Sequence, residues 1–206
     1  MIEALLLTLR VAIVAVALGL LPGVLLGVWF ARSKSPFVLG VEALVMAPLV
    51  LPPVATGLLL LILFSHIPFL HSLPFTWWAA SVAAAVMALP LIVSSVRTAV
   101  RGVDPELEAV ARTLGAGPFR VLRSITLPLS WRGIVAGGLL AFCKAIGEFG
   151  ATMVVAGNIP GRTRTLALGI YTYSETGQDR MAMLFVGASA LLAFAILLLA
   201  RRIDRA

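Results

Sequence analysis

An all-α, polytopic membrane protein of about five transmembrane helices is what this chain should fold into, at the length that spans ~30 Å of hydrocarbon. Three observations say so. Of 206 residues, 61% are hydrophobic, where soluble domains sit near ~45–50%. Mean hydropathy is +1.07. The charged residues gather in short connections between long apolar runs. A single membrane domain, residues 1–206, uses the whole chain and leaves no room for a second, soluble one.

The net charge of +7 would suggest nucleic acid in a soluble protein, but basic cytoplasmic loops explain it more simply. No nucleic-acid partner is expected; the partner along most of the surface is the lipid bilayer. Cys143 stands alone, so no internal disulfide can form, and His66 and His71 make no metal-ligand cluster.

The first span covers about 11–30, Val11 to Phe30, without a charge. Gly19, Gly23 and Gly27 recur every four residues on nearly one face. They are either a seat for a neighbouring helix or simply the glycine that membrane helices tolerate. Pro22 should kink this helix. Arg32 and Lys34 form a basic connection before the second span, about 38–64, with Glu42 near its start. Pro48, Pro52 and Pro53 break its middle. Carbonyls freed by proline need partners in lipid, which favours a protein- or water-lined place. Pro52 and Pro53 are therefore candidates for the translocation path; a kink that serves packing is the alternative.

Residues 65–76 carry no Lys or Arg, and Trp77-Trp78 mark an interface before the third span, about 77–96, closed by Arg97 and Arg101. The fourth span, about 133–156, contains Lys144 and Glu148, four apart and so on one face of a continuous helix. They read as a structural pair inside the bundle in preference to a direct substrate contact, since paired opposite charges offset the cost of burial. Residues 157–180 form a long polar external loop whose apolar centre, Leu166 to Tyr171, suits a short interfacial or re-entrant helix. The fifth span, about 181–200, ends in Arg201, Arg202 and Arg205. Five spans put the termini on opposite sides. The arginine excess then places the C-terminus and the 102–132 loop in the cytoplasm and the N-terminus outside.

That cytoplasmic loop is the most informative stretch. From Asp104 to Pro128 it reads DPELEAVARTLGAGPFRVLRSITLP. Asp104 is an N-cap and Pro105 suits the first helical position. Glu106 and Glu108 lie at the positive end of the helix dipole and Arg112 near the negative end. Gly115 can close the helix in a left-handed conformation. A short helix over about 105–114 follows. A second starts at Gly117-Pro118 and should stop near Leu127-Pro128.

This stretch resembles the EAA loop of ABC-transporter permeases, in which Glu-Ala-Ala is followed by glycine and then, nine residues on, by Ile-x-Leu-Pro. Ala109, Val110 and Ala111 fill the first places, Gly115 the glycine, and Ile125, Leu127 and Pro128 the end. The glutamate is displaced to Glu108 and the middle alanine is Val110. GEFGAT from Gly147 and GNIPGRTRTL from Gly157 are similar to molybdate-type subunits, with sulfate and tungstate permeases close.

The resemblance implies a type I ABC importer permease fold with short cytoplasmic coupling helices. It implies a multi-pass protein of the bacterial or archaeal inner membrane, a homodimer with a second copy of itself. Two ABC ATPase subunits and an extracytoplasmic molybdate-binding protein are the other implied partners. Coupling to the ATPase is expected at Glu108, Ala109, Arg112, Thr113, Gly115 and Ala116. Path candidates are Pro52, Pro53, Lys144, Glu148 and Arg164. With no G-x-x-x-x-G-K-[ST] loop, the chain is expected to be a non-catalytic subunit that binds no cofactor, with ATP and Mg on the partner ATPase. Sulfate or thiosulfate and tungstate are the alternative substrates. An intramembrane enzyme and a passive channel are the other classes, and the enzyme has neither a G-x-S-x-G nor histidines inside the spans to recommend it.

Overall fold

A computed structural model describes residues 1–33 and 35–205, without the side chains of 197 and 199–205. Lys34 and the side chains of Arg201, Arg202 and Arg205, all part of the charge argument above, lie outside the described residues, as does Ala206. Among the described residues the secondary structure is entirely helical.

α1, Ile2–Arg32, starts well before the first uncharged run and takes in Arg10. Its guanidinium lies 3.6 Å from the ring centroid of Trp77, a cation–π contact. Pro22 sits inside α1 without ending it. The glycine stripe is a seat for another helix. A Cβ at Gly23 would stand 2.6 Å from Ile92 Cγ2, and one at Gly27 2.7 Å from Val96 Cβ. α1 therefore lies directly against the helix that carries Ile92 and Val96.

The second span is not one kinked helix. It is α2, Pro36–Met46, a 3₁₀ turn over Ala47–Leu49, and α3, Pro53–His66, with a bend of 112° between the halves. Pro53 forces the residue before it out of the helical region, and Pro52 accordingly has φ −53° and ψ 132°. The pair crosses a membrane only if its halves count together.

α4, Trp77–Arg101, is capped by Thr76, whose Oγ1 accepts from the Ala79 N–H at 3.3 Å. Alanines at 79, 80, 83, 84, 85 and 88 let neighbours close in from several sides. It is the most buried of the long helices. After α4 come α5, Pro105–Thr113, and α6, Pro118–Val121. The second short helix does not stop at Leu127-Pro128. A π turn over Leu122–Thr126 carries it straight into α7, Leu127–Ile146, so that residues from Pro118 to Ile146 form one continuous helix that contains a stretch apolar enough to cross a membrane. The wider turn ahead of Pro128 accommodates the ring and the lost N–H, as π-bulges do elsewhere.

The expected fourth span is interrupted: α7 ends at Ile146, and α8, Gly150–Ala156, begins after a three-residue break. α9, Leu166–Glu175, is the helix expected in the external loop, and α10, Asp179–Arg205, the last long one. α1, α4 and α7 form a slab built around α4, in which α1 also touches α7. α7 meets α4 through Gly133, where an added Cβ would stand 2.2 Å from Ala99 Cβ. α8 packs on α3 and α4, and α9 on α10, where Phe185 lies against Gly169.

Candidate functional site

α5 is built by its termini. The Asp104 carboxylate accepts from the Glu106 N–H at 2.9 Å. At the other end Gly115 has φ 85°, its N–H donates to the Arg112 carbonyl at 3.0 Å, and the Ala116 N–H donates to the Ala111 carbonyl at 3.0 Å. That pair of bonds is a Schellman closure. A Cβ at Gly115 would meet nothing within 4 Å. The backbone angle, not crowding within the chain, calls for glycine there.

The predicted coupling residues do not share one direction. Ala109, Arg112, Thr113 and Gly115 are exposed, and Ala116 is half-buried. Glu108 points inward and is 6% exposed. Its carboxylate pairs with Arg32 at the end of α1, accepts from Thr126 Oγ1 at 2.7 Å, and lies 3.5 Å from Arg112 Nη2. A partner protein cannot reach it without opening these contacts. Instead, the outward face carries apolar side chains that sequence reasoning missed. Leu107 and Val110 are exposed on α5, and Leu114 and Phe119 just beyond it are 82% and 74% exposed. The three- and four-residue spacing of 107, 110 and 114 was the available signal.

The second cluster lies where the two helix breaks meet. A Cβ at Gly150 would stand 2.9 Å from Pro53 Cβ, and one at Gly57 2.8 Å from Ala151 Cα. The α3 start and the α8 start are therefore in direct contact, with Pro52 and Pro53 exposed beside them. Glu148 occupies the break after α7 and so does not share a helix with Lys144. The two still pair, Lys144 Nζ to Glu148 Oε2 at 3.2 Å. The other oxygen accepts from the Ala151 N–H at 3.1 Å and caps α8. Nearby on α3, the buried Thr56 hydroxyl finds no hydrogen-bond partner among the described residues.

Arg164 belongs to a third group, just before α9. Its Nε donates to Asn158 Oδ1 at 2.9 Å, its guanidinium lies 5.8 Å from the Tyr173 ring centroid, and the Asn158 amide bonds Thr172. The pairing of Arg97 on α4 with Glu42 on α2 was also missed; it ties the first half of the broken span to the slab.

Comparison with known proteins bears on all of this. Residues 23–206 match the family described as binding-protein-dependent transport system inner membrane component. The molybdenum transport system permease protein ModB of Escherichia coli K12 is 40% identical over 207 residues, covering 95% of this chain and 90% of that protein. The putative molybdenum transport system permease protein YvgM of Bacillus subtilis is 35% identical over 200 residues, covering 93% and 88%. Among solved structures, the inward-facing MetNI methionine ABC transporter superposes with a TM-score of 0.80 at 22% identity, over 99% of this chain and 94% of that one. This likeness shows the fold, that of a type I ABC importer permease. The chain is therefore a multi-pass, non-catalytic membrane subunit of the ABC-transporter permease family, a binding-protein-dependent transport system inner membrane component.

Proposed function

We propose that this chain forms the translocation path of an ATP-driven molybdate importer and couples that path to a separate ATPase. The capped α5 and the turn into α6 carry the coupling reading, because together they hold Leu107, Val110, Leu114 and Phe119 in the open on an otherwise polar loop. Large exposed apolar side chains clustered on a soluble segment mark a protein contact. The substrate reading rests on the molybdenum permeases named above and on the Gly147–Leu166 resemblance.

Two copies of the chain pair in the membrane, each presenting its α5–α6 turn to one ATPase subunit, which holds ATP and Mg. A binding protein delivers the oxyanion from outside. Ala109, Arg112, Thr113, Gly115 and Ala116 frame the ATPase contact. Pro52, Pro53, Lys144 and Glu148 lie along the path, and Arg164 at its external mouth. The permease passes a small dianion without holding it, since conduction needs weak binding. The cytoplasm holds the C-terminus, because Arg97, Arg101, Arg112, Arg120, Arg123 and Arg132 belong to one side. Reporter fusions at both termini test this orientation; both ends on one side would refute it.

The deciding experiment is reconstitution in liposomes with the cognate ATPase and binding protein. Molybdate should be taken up only with ATP and binding protein, and should stimulate hydrolysis. Uptake of a sugar or an amino acid, with molybdate, tungstate and sulfate all ignored, would refute the substrate.

A further inference from the structure

Glu108 is the one buried residue of α5. Every other side chain of this short helix is exposed or half-buried, so α5 has no apolar face to hold it to the membrane domain. Beyond the short connections to α4 and α6, its side-chain attachment there is electrostatic. One carboxylate oxygen takes both Arg32, at the last residue of α1, and the Thr126 hydroxyl, at the end of the π turn that opens α7. The other faces Arg112. Arg32 is 76 residues away in sequence and Thr126 18.

α1 and α7 are each pressed onto α4 through glycines and also touch one another. A charged hydrogen bond is short and directional, and one to a buried carboxylate is not readily exchanged for water. A carboxylate that grips both helices therefore transmits a push on α5 to the slab as one body. The broken helices α3 and α8 meet the slab through packing, and α2 is tied to α4 by Glu42 and Arg97.

We propose that Glu108 is the positioning residue that joins the coupling helix to α1 and α7. Through Arg32 and Thr126 it directs ATP-driven motion into the α1–α4–α7 slab. This rests on the reading of α5 as the ATPase-coupling element. Glu108 itself touches neither the ATPase nor the substrate.

The test uses the full reconstituted complex with molybdate as transported ion, comparing Glu108→Gln, Arg32→Gln, both together, and Thr126→Val. Three quantities are measured: ATPase subunit retained on purification, ATP hydrolysis, and molybdate imported per ATP. For Glu108→Gln and Arg32→Gln the ATPase should be retained and hydrolysis should continue, while molybdate per ATP falls about tenfold, a normal size for a coupling term. The double variant should be no worse than either single, because both break one junction. Thr126→Val should lose less, in the same direction, and serves if the charge variants fold poorly.

A wild-type ratio in Glu108→Gln or, failing its folding, in Thr126→Val overturns the proposal. So does a double variant whose losses multiply. Loss of the ATPase subunit from Glu108→Gln but not from Arg32→Gln overturns it too, by making Glu108 a direct contact. A wild-type complex that hydrolyses ATP without regard to uptake overturns the coupling reading as well, whereas a coupled wild type with an unaffected Glu108→Gln overturns this proposal alone.

Discussion

The pair Lys144–Glu148 makes an unequal prediction, because its two members are not equally buried. Glu148 is 3% exposed, and apart from Lys144 its carboxylate holds, among the described residues, only the Ala151 N–H. Lys144→Ala leaves that carboxylate in place with its countercharge gone. Breaking a buried pair from one side costs about 3–5 kcal/mol. Glu148→Ala leaves an ammonium whose side chain is 35% exposed and can turn its tip toward water. What is then lost is chiefly the α8 cap, about 1 kcal/mol, with a smaller cost for the freed lysine. The double variant has neither stranded charge and should lose about 1–2 kcal/mol, mainly the cap. Lys144→Ala should thus be the worst of the three, with an interaction term near 3 kcal/mol in the double-mutant cycle. Denaturant unfolding of each variant in bicelles, followed by far-UV circular dichroism, measures it. Additive losses, or Glu148→Ala the most damaging, would refute the reasoning. Lys144→Ala with unchanged stability and abolished uptake would make the lysine a substrate contact instead of a structural partner.

Three further predictions concern the slab and the cytoplasmic face. Gly133→Ala should destabilise the protein by about 1–3 kcal/mol through overpacking, since its Cβ would stand 2.2 Å from Ala99 Cβ; adding Ala99→Gly should restore most of that in the same unfolding assay, and no rescue would mean the helices meet elsewhere. Phe119→Asp and Leu114→Asp should leave stability within about 0.5 kcal/mol, as exposed sites do, yet reduce ATPase co-purification at least about tenfold. Gly115→Trp, forced into a left-handed conformation, should insert normally but uncouple hydrolysis from uptake or lose the ATPase altogether; normal transport by it would remove α5 as the coupling element.

Local chemistry made much of this protein legible from its sequence. The limits of α5 follow from Asp104, Pro105 and Gly115, because a cap, a first-turn proline and a left-handed glycine each act within one helical turn. The bend near Pro52-Pro53 follows in kind, though its size does not: proline specifies where a helix fails, and packing against Gly150 and Ala151 specifies where the chain goes next. Pro128 shows the reverse, a local stop signal absorbed by a π turn because the surrounding span favours continuing. The break after Ile146 carries no proline, and Glu148 became its cap instead of a helix-face partner. Glu108 is the clearest case of what only tertiary structure decides. On helical periodicity it is one acidic residue near a positive helix end. Its burial exists because Arg32 and Thr126 converge on it, and nothing local to residues 104–116 encodes that. Local sequence settles where helices begin and end; which way a charged side chain faces depends on whether distant parts of the chain bring it a countercharge.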